Sequence, residues 1–200
     1  MLPLSMWIAQ IFYFICFVPQ IIDNFRVKSG RGISELLLIF YLNSYLFLLF
    51  YIFCMNLPWA YKIMVPLQAL ATVILILQRL VFDNSSSVKS AWFLYAANVV
   101  MFFFFIPYAL KNPLGIGSAF GWFFTTVASV AQLPQVVKVF QEKSVVGFSF
   151  LFVLFTGVAA MIEFAAAVLA HLPMQTLFSA FRGIVIFLIF CSQFWMYRKS

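Results

Sequence analysis

Val18-Pro19-Gln20-Ile21-Ile22, followed by Phe25, Lys28-Ser29 and Gly32-Ile33-Ser34, returns 115 residues later as Leu133-Pro134-Gln135-Val136-Val137, followed by Phe140, Lys143-Ser144 and Gly147-Phe148-Ser149. The same offset places Trp7 on Trp122, Leu36 on Leu151, Phe40 on Phe155, Leu57-Pro58 on Leu172-Pro173 and Gln78 on Gln193 without a gap. Chance similarity between two apolar stretches would not concentrate on Pro, Gln, Gly, Ser and Trp. The chain contains an internal duplication.

Around these segments the chain is 66% hydrophobic and 8% charged, whereas soluble domains are roughly half apolar and about a quarter charged. Uncharged stretches run from Met1 to Ile22, Leu36 to Tyr61, Ile63 to Gln78, Ser90 to Leu110 and Asn112 to Val137. A helix needs about 20 apolar residues to cross the hydrocarbon core. No period-two alternation marks a transmembrane β-barrel, so helices remain the way to satisfy backbone groups in lipid. The sequence predicts an all-α integral membrane protein with spans Pro3–Phe25, Ile33–Asn56, Trp59–Phe82, Ser90–Leu110, Gly117–Phe140, Val146–Ala170 and Met174–Tyr197. Turn residues separate them, as at Asn56-Leu57-Pro58, Asn112-Pro113 and Leu172-Pro173. The first stretch has no basic n-region and carries the repeat, so it reads as a retained helix and not as a cleaved signal.

The net charge of +7 comes from single basic residues and small groups at span ends, which excludes a nucleic-acid patch. The first, third and fifth loops and the tail hold Arg26, Lys28, Arg31, Arg79, Lys89, Lys138, Lys143, Arg198 and Lys199, against Lys62 and Lys111 on the other side. This bias places the C-terminus in the cytosol and the N-terminus outside or in a lumen. Both Pro-Gln segments then lead into cytosolic loops. A three-helix unit ends on the side opposite its start, so a tandem copy keeps its orientation only if one further span intervenes. Residues 1–82 form the first cassette, 83–115 the linker helix region and 116–200 the second cassette, a 3+1+3 plan of parallel repeats.

The two motifs resemble the PQ-loop motif, and the chain is similar over nearly its whole length to the PQ-loop family. That family includes SWEET-like sugar transporters, cystinosin-type amino-acid exporters and mannose-P-dolichol-utilisation-type proteins. No Ser–His–Asp set, metal cluster or phosphate-binding glycine loop stands in the sequence, so neither enzymatic activity nor a cofactor is expected. The resemblance implies seven spans. It implies a small-molecule solute and the lipid bilayer as partners, and leaves a homo-oligomer open. Cystinosin-type exporters are expected to carry a proton-coupling Asp where this chain has Thr156, so the resemblance supplies no coupling acid there.

Pro19 and Pro134 interrupt helical runs, where each removes a donor and clashes with the preceding turn. With Gln20 and Gln135 satisfying the freed carbonyls, they read either as hinges or as static kinks. Glu163 is the acidic residue deep in a span, and such groups are functional candidates by default. Glu163 and Arg182 lie equidistant from the Leu172-Pro173 turn, which predicts an ion pair that either meets solute or ties two helices. Tyr41, Asn43, Asn98 and Gln193, together with Gln10, Gln68 and Gln132, are candidates for the central path or for interhelical hydrogen bonds. Trp7 and Trp122 read as stacking platforms or as interfacial anchors, the latter favoured by their place near span ends. His171 falls at an outer turn. Cys16, Cys54 and Cys191 show no metal or redox spacing, and no metal site is expected.

The leading expectation is a transporter of a small polar solute, an amino acid or a sugar, working by alternating access. The alternative is a non-transporting membrane factor, a cargo receptor or a handler of lipid-linked sugars. A central polar cavity lined by Asn43, Asn98 and Gln193 favours the first, and a lateral opening to lipid favours the second. The repeat orientation is itself testable. In a chain lacking Cys16, Cys54 and Cys191, cysteines placed at Lys28 and Lys143 should react with an impermeant maleimide from one side of the bilayer. Labelling from opposite sides would refute parallel cassettes.

Overall fold

The computed structural model describes residues 2–83, 93, 96, 100 and 103–197. Its helices are α1 (Leu2–Ile15), α2 (Phe17–Val27), α3 (Glu35–Cys54), α4 (Trp59–Asp83), α5 (residues 103–111), α6 (Pro113–Glu142), α7 (Phe150–Leu169) and α8 (Met174–Tyr197). Among the described residues, six stretches are long and apolar enough to cross a membrane, with α1 and α2 forming one of them. Large apolar side chains such as Phe25, Val81, Phe104 and Leu188 face outwards, a surface that only lipid would solvate well. The chain is a multi-pass integral membrane protein. Much of the first half of the Ser90–Leu110 span, including Asn98, lies outside the described residues.

The helix ends show why these residues form these elements. Asn112 caps α6 by accepting from the Gly115 N–H at 3.0 Å, and Pro113 opens the helix, where its missing donor is harmless. This cap starts α6 four residues earlier than the sequence reading expected. The spans predicted from Ile33 and Val146 begin later, at Glu35 and Phe150, because Ser34 and Ser149 are extended. The two prolines also behave unlike one another. Pro19 cannot donate to the carbonyl four residues back, and α1 ends there, at Ile15, with Cys16 as the break. Pro134 stays inside the continuous α6.

The duplication is repeated in backbone detail. Lys28 and Lys143 both close their helices at φ 48, and Asn56 and His171 occupy the same left-handed region at φ 49 and 50. The Ile33 N–H donates to the Gly30 carbonyl, and 115 residues on the Phe148 N–H donates to that of Val145. Leu57 to Ile52 recurs in the same way as Leu172 to Ala167. Within each half, α4 packs on α3 and α8 on α7. Between halves, α3 lies against α6 and α1–α2 against α7, two equivalent seams. Phe47 and Phe50 of α3 stack around Phe120 of α6, with centroids 5.9 and 5.0 Å away.

The seams meet at the Pro-Gln end, where the two loops touch backbone to backbone. A methyl group on Gly32 would overlap the carbonyl of Gly147, and Gly147 itself sits at φ 77. The approach therefore requires glycine at both positions. Gly32→Ala should lower stability in detergent by about 1–3 kcal/mol, the usual range for overpacking, read as a fall in melting temperature. An unchanged melting temperature would show that the loops do not stay in contact.

Candidate functional site

Two apolar clusters divide the bundle. One, around Phe17, Ile33, Leu75, Phe148 and Phe190, fills the Pro-Gln half, and the other, around Leu48, Ile52, Tyr61 and Phe120, fills the Leu-Pro half. A cavity of about 90 Å³ lies where they meet and takes lining residues from both.

Five tyrosines from the first half, Tyr13, Tyr41, Tyr45, Tyr51 and Tyr61, project into this space. Their equivalents 115 residues later are Ala128, Thr156, Ala160, Ala166 and Thr176, so one half supplies bulk and hydroxyls where the other supplies room. Tyr41 and Tyr45, one helical turn apart on α3, share a face. None but Tyr41 was singled out from sequence. The pairing of each tyrosine with a small residue across the repeat is the pattern that reveals them.

Glu163 and Arg182 both line the cavity, but the predicted ion pair does not form. No Glu163 oxygen lies within 4.0 Å of an Arg182 nitrogen. Glu163 Oε1 instead accepts from the Tyr61 hydroxyl at 2.8 Å and from Gln10 Nε2 at 3.2 Å, and Gln10 in turn accepts from Gln68 at 3.0 Å. Equal depth did not bring the two side chains together, because donors on α1 and α4 of the other half reach the carboxylate. Arg182 is left with one long contact, from Nη2 to Ser179 Oγ at 3.5 Å, and its buried Nε and Nη1 have no hydrogen-bond partner. Gln132 donates from Nε2 to the Tyr41 hydroxyl at 2.6 Å, while its buried Oε1 is also unpartnered. Thr156 lines the cavity with its hydroxyl turned back to the Phe152 carbonyl, 2.7 Å away.

Other candidates stand elsewhere. Asn43 and Gln193 are absent from the lining: Asn43 donates to the Ile39 carbonyl at 2.8 Å and Gln193 to that of Val136 at 2.8 Å. Trp7 and Trp122 are also absent, and Trp122 is 44% exposed beside Phe178. His171 is exposed at the Leu-Pro end.

The glutamines of the two motifs do something the sequence reading missed. They were expected to satisfy carbonyls freed by their own prolines, yet each reaches across to the opposite half. Gln20 Oε1 accepts from the Ser149 N–H at 2.9 Å, and its Nε2 donates to the Gly147 carbonyl at 3.0 Å. Gln135 Oε1 accepts from the Ser34 N–H at 2.6 Å, and its Nε2 donates to Gly32 at 3.2 Å. Ser34 and Ser149 are the N-cap residues of α3 and α7 and make no side-chain cap of their own. Backbone donors at a helix start need partners, and the opposing glutamine supplies one. Both glutamines are fully buried.

Symmetry fails around this seal. Gln20 continues to Asn24 at 2.8 Å, and Asn24 to Gln78 Oε1 at 3.0 Å. Val139 replaces Asn24 in the second half, which leaves Gln193 Oε1 buried and unpartnered. Arg79 binds Glu35 at 3.1 Å and Asp83 at 3.3 Å, where the second half has a Phe194–Phe150 edge contact at 5.2 Å. Asp83 also accepts from the Gly30 N–H at 2.8 Å, and Lys138 donates across the seam to the Arg31 carbonyl.

Three comparisons with known proteins bear on the site. A family described as PQ loop repeat matches residues 3–61 and 116–176. The solved structure of a eukaryotic SWEET transporter superposes with a TM-score of 0.67 at 15% identity, covering 100% of this chain and 99% of that one. At this identity the likeness establishes the fold alone. Comparison with curated protein sequences finds no match.

The Tyr61 hydroxyl donates to a buried carboxylate, a class of bond worth about 1.5–3 kcal/mol. Tyr61→Phe should destabilise the protein by that amount in detergent unfolding, and Tyr51→Phe, which loses only the 2.8 Å bond to Thr176, by less. Equal losses would show that Glu163 does not depend on Tyr61.

Proposed function

The chain belongs to the PQ-loop repeat family, and from that premise we propose that it carries a small polar solute, an amino acid or a sugar, across the bilayer by alternating access. The observation that carries this reading is a cavity holding Glu163, Arg182 and Gln132 between two duplicated halves, with a two-fold seal at the Pro-Gln end. Gln20, Gln135, Gly32 and Gly147 form that seal. A solute held in the cavity leaves past the Pro-Gln loops when these contacts part, and past the Leu-Pro turns when they form. In this reading the fold is 3+1+3, with seven spans and parallel cassettes at 1–82 and 116–200. The linker helix lies between them, and the Pro-Gln end faces the cytosol. The Cys16 break ahead of Pro19 and the missing donor at Pro134 are the points where the helices flex.

A second observation favours the alternative reading. An apolar recess of about 440 Å³ lies between α3, α5 and the start of α6, lined by Leu49, Phe53, Ile106 and Leu110 among others. A non-transporting factor that handles lipid-linked sugars would use such a recess for an acyl or isoprenoid chain.

Uptake into proteoliposomes over a panel of amino acids and sugars, with and without a pH gradient, separates the two. Transport predicts saturable uptake of at least one solute and a roughly tenfold slower turnover for Pro134→Ala, about 1.4 kcal/mol on the barrier. Uptake of no solute overturns the transporter reading, and unchanged turnover in Pro134→Ala overturns the hinge alone.

A further inference from the structure

Two residues that line the cavity carry buried polar atoms without hydrogen-bond partners. Arg182 offers buried N–H donors on Nε and Nη1, and Gln132 offers a buried carbonyl acceptor on Oε1. Glu163 lines the same cavity but accepts from Tyr61 and Gln10 and leaves the Arg182 donors without a partner. A buried guanidinium with open donors is complemented by an acceptor-only anion, and carboxylates are the usual partners. The glutamine carbonyl calls for a donor. Arg182, Gln132 and Tyr41 line the one cavity, and Gln132 is hydrogen-bonded to Tyr41.

We propose that this cavity is a two-point site for a small zwitterionic α-amino acid, with its carboxylate on Arg182 and its ammonium on Gln132 Oε1. The assignment rests on the transporter reading and names its substrate class. Three features select the ligand. A neutral sugar offers hydroxyls but no carboxylate for the unpartnered guanidinium donors. A dianion such as phosphate meets Glu163 in the same cavity, and like charges repel strongly where water is excluded. The cavity is small, about 90 Å³, which favours small side chains over large ones. The second half supplies both Arg182 and Gln132. At the equivalent positions the first half has Leu67 and Phe17, so the site exists once per chain and is directional.

The test uses the full chain, purified in detergent for calorimetric binding and reconstituted for uptake. The probes are glycine, L-serine, L-lactate, ethanolamine and D-glucose. L-Serine and glycine should bind and be taken up. L-Lactate, which keeps the carboxylate but lacks the ammonium, should bind at least tenfold more weakly. Ethanolamine and D-glucose should bind at least a hundredfold more weakly. Arg182→Gln should reduce L-serine affinity at least a hundredfold and Arg182→Lys by less, whereas Gln132→Leu should erase the preference for L-serine over L-lactate. If D-glucose or ethanolamine binds the unmodified protein as tightly as L-serine, the assignment fails while transport stands. It fails equally if Arg182→Gln leaves L-serine affinity unchanged. The unmodified protein decides the matter even where a variant does not fold. Uptake of none of the five probes or any other solute would sink the transporter reading itself.

Discussion

The structure depends on two buried amides exchanged between its halves. Gln20 and Gln135 each place a carbonyl on the first turn of the other half's helix and an N–H on the other half's glycine. Both side chains emerge at equivalent places although α1–α2 breaks near its proline and α6 does not. The glycine pair then lets the loops come close enough to be reached. Four such hydrogen bonds contribute about 2–6 kcal/mol net at roughly 0.5–1.5 each. That is the size of free energy a bound ligand can redistribute between two conformations, since about 5.5 kcal/mol moves an equilibrium from 1:99 to 99:1. Each amide is tied to the other half, so separating the loops breaks both sets together.

Around that symmetric core the halves have diverged in physical character. The first loop is fastened by charge, through Arg79, Glu35, Asp83 and Arg31, and the second by the rings of Phe150 and Phe194. Charge pairs near a membrane surface weaken as salt rises, whereas aromatic packing does not. The cavity repeats the division: tyrosine hydroxyls come from one side, and the acid, the guanidinium and the small residues come from the other. Duplication gave two copies of a scaffold whose backbone turns and glutamine brace stayed alike while the side chains around them diverged.

Much of this was legible in the sequence, and the part that was not has a common cause. Pro, Gln, Gly and Ser recur at a fixed offset, so the duplicated helices and their turns follow from local chemistry. The span ends shifted by a few residues where Asn112 made an unanticipated cap and where Ser34 and Ser149 stayed extended. What local chemistry does not contain is the relation between the halves. Gln20 was matched to its own helix because its true partners lie 127 and 129 positions away. Glu163 and Arg182 were matched by depth, but depth does not set which way a side chain points around the helix. Tyr61, on α4 of the first half, reached the carboxylate instead. Asn43 and Gln193 spend their donors on carbonyls nearby and never reach the cavity.

The left-handed lysines that end α2 and α6 carry a consequence of their own. An L-residue at φ 48 is strained by about 1–2 kcal/mol relative to the usual helical region, and glycine would relieve it. Glycine would also delete a cation at a helix C-terminus, where the macrodipole favours one, and, in the orientation proposed above, at a rim that meets anionic headgroups. The two turns thus trade backbone comfort for an electrostatic foothold. A chain relaxed at Lys28 and Lys143 would sit more loosely in a charged leaflet even as its loops became easier to fold.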